Sequence, residues 1–107
     1  MSGDELRGSV LAVGDVFVNV PDAADSFRHL KPLLGCGATV FGNCEGVYSD
    51  RPQLAPTRRH FMGAPLERGR GFADAPFHVM DCANNHIVDG GYAGMFDTLL
   101  LLSLIHI

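Results

Sequence analysis

Apolar runs in this chain stop repeatedly at small polar clusters. Val10–Val13 leads into Gly14-Asp15, Ala38–Phe41 into Gly42-Asn43-Cys44-Glu45, and Ala75–Met80 into a stretch that holds Asn84-Asn85-His86 and Asp89. Short continuous apolar runs bounded by turn residues predict buried strands, here Ser9–Val13, Ala38–Phe41 and Pro76–Cys82. Between the first two, Asp22 can cap a helix over Ala23–Leu34, with Phe27, Leu30, Leu33 and Leu34 along one face. Pro32 sits awkwardly in that helix and should kink or shorten its last turn, and Gly35 and Gly37 end it. Strand, helix and strand joined by short turns predict a right-handed βαβ unit with parallel strands, and so an α/β fold.

Gly46–Asp74 breaks the pattern. It contains Pro52, Pro56, Pro65 and most of the arginines, with no clean periodicity, which predicts a lid or loop with a short helix near Pro65–Phe72. After the third strand, Gly90-Gly91 precedes a helix over Tyr92–Leu101. Ligands of α/β sheets sit outside the carboxyl ends of the strands. All three polar clusters lie at such ends, which is the physical argument for one shared site.

Composition narrows the function classes. The chain has 107 residues, 47% hydrophobic and 19% charged, which fits one globular domain or part of a larger one. A net charge of −4 gives no basic footprint for nucleic acid. Arg58-Arg59 and Arg68/Arg70 read as solvated loop cations, with contact to an anionic substrate as the alternative. No signal peptide is visible in the polar Met1–Gly8 segment, so a cytoplasmic location is expected. Cys36, Cys44 and Cys82 lack CxxC spacing and read as free thiols in a reducing compartment.

The clusters supply a definite chemistry. Asp15 and Glu45 offer anionic oxygens, Asn43 and Asn85 amide oxygens, and His86 an imidazole nitrogen. Mixed oxygen and nitrogen sets suit divalent Mn, Fe, Zn or Mg, and such ions can clamp a phosphate and activate water. A neighbouring His could protonate the leaving oxygen. Each piece also has a structural alternative. Asp15 could cap a turn, Asn43 and Glu45 could bond loop backbone, and Asn84-Asn85-His86 could order the strand-to-helix turn. Asp89 beside Gly90-Gly91 reads first as a turn or helix cap. His29, His60 and His78 read as surface or satisfied histidines.

Val13-Gly14-Asp15-Val16, Phe41-Gly42-Asn43-Cys44-Glu45 and Ala83-Asn84-Asn85-His86-Ile87-Val88-Asp89-Gly90-Gly91, with Asp97-Thr98-Leu99, together resemble the poly-γ-glutamate capsule biosynthesis CapA family. The resemblance covers about Ser9–Leu100. It implies the N-terminal part of a metallophosphatase-like four-layer αββα sandwich. It also implies that Asp15, Glu45 and Asn85 sit at metal-ligand positions, that His86 matches a catalytic histidine, and that Asn43, Asn84 and Asp89 support them. The implied activity of the intact protein is metal-dependent hydrolysis or transfer on a phosphoester or polyglutamate-type amide. The alternative is a non-catalytic polymer-binding component with capsule-assembly partners. Asp15 is followed by Val16-Phe17, so the Asp-x-His pair of ordinary metallophosphatases is missing.

The tail, Leu99–Ile107, is uncharged and falls short of the roughly 18–20 apolar residues that a membrane span needs. Residues 102–107 match what a transposon-derived sequencing adapter encodes. The expectation is therefore a partial CapA-like domain over residues 1–101, inactive by itself, followed by a non-native scar.

Overall fold

The computed structural model of the chain describes residues 8–52 and 61–105. Among these residues five strands follow in order: β1 (Val10–Val16), β2 (Thr39–Cys44), β3 (Val47–Tyr48), β4 (Gly63–Ala64) and β5 (Val79–Asp81). Three helices accompany them: α1 (Lys31–Leu34), α2 (Arg70–Ala73) and α3 (Gly91–Leu104), with 3-10 turns at Ala23–Asp25 and Leu66–Gly69. The main sheet has the order β1-β2-β5; the parallel β1-β2 pairing agrees with the βαβ pattern, and β5 joins β2 in parallel as well. A second, two-stranded parallel sheet joins β3 to β4.

The strands run further than their apolar cores. β1 continues through Gly14-Asp15 and β2 through Gly42-Asn43-Cys44, because the parallel ladder goes on pairing their backbone groups. A register shift between Ala12 and Asp15 sets Asp15 opposite Asn43, and Asn43 in turn is opposite Asp81. One rung of the sheet thus carries three polar residues in a row.

The expectation of strands buried throughout fails for β1. In β2, half-buried Thr39, Phe41 and Asn43 alternate with buried Val40, Gly42 and Cys44. Register puts Val10, Thr39, Phe41 and Val79 on one face, and there Val10 is 69% exposed and Val79 46%. The opposite face, with Leu11, Val40 and Met80, packs on the core. β1 and β5 are edges of a three-stranded sheet covered on one side among the described residues.

The helix expected over Ala23–Leu34 is also corrected. The segment forms a 3-10 turn at Ala23–Asp25, successive turns, and then the four-residue α1. Asp22 makes no capping bond, and Pro32 falls in the first turn of α1, where its missing N–H costs nothing. A helix running through Pro32 would drive the ring into the carbonyl of Arg28. Of the expected apolar face, Leu34 is buried and Phe27 packs on the core, whereas Leu30 and Leu33 are about half exposed.

The core is aromatic. Tyr48 and Phe72 meet edge to face at 5.4 Å, as do Phe27 and Phe77 at 5.4 Å. The Val18 N–H donates to Tyr48 Oη at 2.7 Å, which satisfies a phenol that is fully buried. α3 lies against β3, where Thr98 Oγ1 accepts the Tyr48 N–H at 2.9 Å. The short helix expected near Pro65–Phe72 is present as the second 3-10 turn and α2. α3 begins where the sequence placed it and extends through Leu102, which is buried in the core. The expectations for Met1–Arg7, for Arg58, Arg59 and His60, and for His106-Ile107 lie outside the described residues.

Candidate functional site

The polar rung at the carboxyl ends of β1 and β2 organises a connected set of side chains. Asn43 is its hub. Its amide nitrogen donates to Asp15 Oδ1 at 2.7 Å and to Glu45 Oε2 at 2.9 Å. Two carboxylates are thereby gathered on one nitrogen. The carbonyl oxygen of Asn43 accepts from Asn84 Nδ2 at 3.0 Å, and the same Asn84 nitrogen donates to the Cys44 backbone oxygen at 2.9 Å. Asn84 Oδ1 takes the backbone N–H of His86 at 3.1 Å, so it orients the turn from which the imidazole projects.

Gly46 explains how Glu45 comes to face this set. It has φ +87°, and a Cβ there would lie 2.8 Å from the Met62 carbonyl oxygen. The chain can therefore turn sharply between β2 and β3 only with glycine at this position.

His86 is held from both sides. Its Nδ1 lies 2.6 Å from Asp89 Oδ2, and its Nε2 lies 3.4 Å from Glu45 Oε1. Asp89 is fully buried, and Oδ2 also accepts the Met62 N–H at 3.0 Å. Its reading as a helix cap is corrected: Gly90 is the N-cap of α3 and makes no side-chain bond. With Asp89 accepting from Nδ1–H, Nε2 is the nitrogen left for chemistry.

Asp15, Asn43, Glu45, Asn84, His86 and Asp89 are thus joined by hydrogen bonds or close charge contacts. Asn85 is exposed, and the amide that bonds Asn43 comes from its neighbour Asn84. Sequence reasoning missed the walls. A cavity of about 530 Å³ is lined by Phe17, Asn19, Phe61, Met62, Gly63 and His86. Phe17 and Asn19 follow the Asp15 strand directly and could have been suspected. Phe61 sits in the aperiodic segment, which carried no signal for it.

Among the described residues, no three His, Cys, Asp or Glu side chains converge as a ready metal set. The residue types that could hold a hard divalent ion here are the Asp15 and Glu45 carboxylates, with His86 Nε2 3.4 Å from Glu45. The thiols of Cys44 and Cys82 are near this site. Their mutual hydrogen bond, followed by burial, raises the Cys44 pKa, and the same bond lowers that of Cys82.

A parallel α/β sheet with an Asp, an Asn-x-Glu and an Asn-x-His-x-x-Asp gathered at its strand ends defines a protein with a built polar site, not a bare scaffold. The sequence model of the family described as bacterial capsule synthesis protein PGA_cap matches residues 8–107, and the chain belongs to that family. Its role is accordingly in bacterial capsule synthesis. No curated protein matches the chain.

Proposed function

We propose that the Asp15–Asn43–Glu45–His86 site takes part in hydrolysis or group transfer on a phosphoester or polyglutamate-type amide during capsule synthesis. The observation that carries this reading is the clamped imidazole. His86 Nδ1 is 2.6 Å from a buried carboxylate, and the ring lines an open cleft. Asp89 fixes the orientation of the ring through Nδ1 and leaves Nε2 facing the cleft. His86 Nε2 then gives or takes a proton at the substrate oxygen facing the cleft. Asp15 and Glu45 would hold a divalent ion, Mn, Fe, Zn or Mg, with His86 Nε2 left for proton transfer. When bound, such an ion polarises the scissile group and lowers the pKa of water. Phe17 and Phe61 limit water around the substrate.

The setting proposed for this site is the four-layer αββα sandwich. The open apolar sheet face at Val10 and Val79 supports it, since a second layer would cover that face.

A second reading, a polymer-binding or assembly component, is favoured by one observation. Asn43 and Asn84 direct their amides at one another and at neighbouring groups, as structural asparagines do. One comparison separates the two. The intact protein and its His86→Ala and Asp15→Asn variants are assayed on an aryl phosphodiester and a γ-glutamyl amide, with Mn²⁺ and with chelator, alongside Mn²⁺ titration calorimetry and a polymer-binding measurement. The enzymatic reading expects activity to vanish on chelation and in Asp15→Asn, with weaker Mn²⁺ binding, and to fall about 10²–10⁴-fold in His86→Ala. Polymer binding that survives His86→Ala, without metal-dependent turnover, selects the second reading.

A further inference from the structure

We propose that Cys44 and Cys82 form a reversible dithiol–disulfide pair, oxidised by a small-molecule disulfide such as oxidised glutathione. The inference does not depend on the reaction assigned above. Asn43 and Asp81 are register partners in the parallel pairing of β2 with β5; Cys44 is the next residue of β2, and Cys82 directly follows the end of β5. Neighbouring strands lie about 4.8 Å apart, inside the roughly 4.4–6.8 Å between Cα atoms that a disulfide spans. Asn84 bonds the carbonyl oxygens of both residues, at 2.9 Å each, and so holds the two backbones side by side. Cys82 packs against the core cluster that contains Cys44.

Accessibility divides the roles. Cys44 is fully buried and Cys82 only half-buried. The Cys82 thiolate attacks one sulfur of the small disulfide, forming a mixed disulfide and expelling one thiolate. Cys44 then attacks the Cys82 sulfur and expels the second. Two protons pass from the protein thiols to the two leaving thiolates. The net change is a protein dithiol oxidised to a disulfide and one small disulfide reduced to two thiols. Cys36 is set apart: its thiol bonds the Pro32 carbonyl oxygen at 3.2 Å, on the loop after α1.

The bond would fasten β2 to the turn that carries Asn84 and His86. Asn84 already bonds the Cys44 carbonyl oxygen, and its N–H bonds that of Cys82 at 2.9 Å. Oxidation therefore acts on the segment that positions the imidazole.

The test equilibrates the reduced full chain, and its Cys36→Ser variant, with glutathione mixtures from fully reduced to fully oxidised. Alkylation, intact mass and peptide mapping follow. The expected result is loss of two thiols and about 2 Da in both proteins, reversed by dithiothreitol. A Cys44–Cys82 linked peptide should appear, and Tm should rise by roughly 10 °C. Cys82→Ser should abolish the mass change. Retention of all thiols in fully oxidised glutathione overturns the proposal. So does a stable glutathione adduct on Cys82, a bond that uses Cys36, or a bond between two chains.

Discussion

Asp89 Oδ2 receives both His86 Nδ1, at 2.6 Å, and the Met62 backbone N–H, at 3.0 Å. One buried carboxylate oxygen thus ties the imidazole to the segment leading into β4. Asp89→Ala removes the acceptor for both and leaves a part-buried N–H without its partner. The expected cost is about 3 kcal/mol, and Asp89→Asn, which keeps a carbonyl oxygen, should lose less. Urea unfolding midpoints check this. An Asp89→Ala midpoint equal to that of the native chain would show that the carboxylate contributes nothing.

Gly46 is the second sensitive position. Alanine there must adopt φ +87° and would bring its Cβ to 2.8 Å from the Met62 carbonyl oxygen. Gly46→Ala should cost about 1–3 kcal/mol through backbone strain and the shift of Met62. Because the turn aims Glu45 at His86, the proposed metal site predicts that any Mn²⁺ affinity falls along with Tm. Thermal melts showing Gly46→Ala as stable as the native chain would refute the turn argument.

Acid should act through Asp97. Its carboxyl is held below the ordinary Asp value, first by the Arg51 guanidinium that grips both oxygens, at 3.0 and 3.2 Å, and then by Ser49 Oγ at 2.6 Å. The folded state therefore binds the proton less readily than the unfolded one. This contribution is complete above the unfolded pKa and is lost as pH falls through the folded pKa. Tm of the native chain should drop more steeply than that of Asp97→Asn on going from about pH 5 to below pH 4. Parallel Tm curves would show that the Arg51 contact does not couple to folding.

α3 presents a second apolar stripe. Tyr92, Phe96, Leu100 and Leu104 recur every fourth residue and are 57–71% exposed, whereas Gly94, Thr98 and Leu102 face inward. A helix apolar all round is normally covered on every side. The pair Phe96→Glu with Leu100→Lys should raise the soluble fraction about twofold or more while leaving Tm within about 2 °C. Light scattering and melting curves measure both. A large fall in Tm would mean that the stripe already packs within the chain.

The sequence by itself determined the α/β class, the parallel pairing and the strand ends as the place where polar groups gather. These follow from local rules: apolar runs bounded by glycine, and polar side chains where each run stops. It also singled out Asp15, Asn43, Glu45, Asn84 and His86. Tertiary structure decided the rest. Only register brings Asp15, Asn43 and Asp81 onto one rung, because a one-residue slip sends a side chain to the opposite face. Only the path of the turn selects Asn84 to bond Asn43, and only burial reveals Asp89 as the partner of His86 instead of a cap. The helix expected over Ala23–Leu34 gave way because Pro32 can start a helix but not continue one, and spacing alone did not weigh that. The place of Phe61 in the cleft wall and the nearness of Cys44 to Cys82 arise from segments far apart in the chain. No local pattern records that they meet.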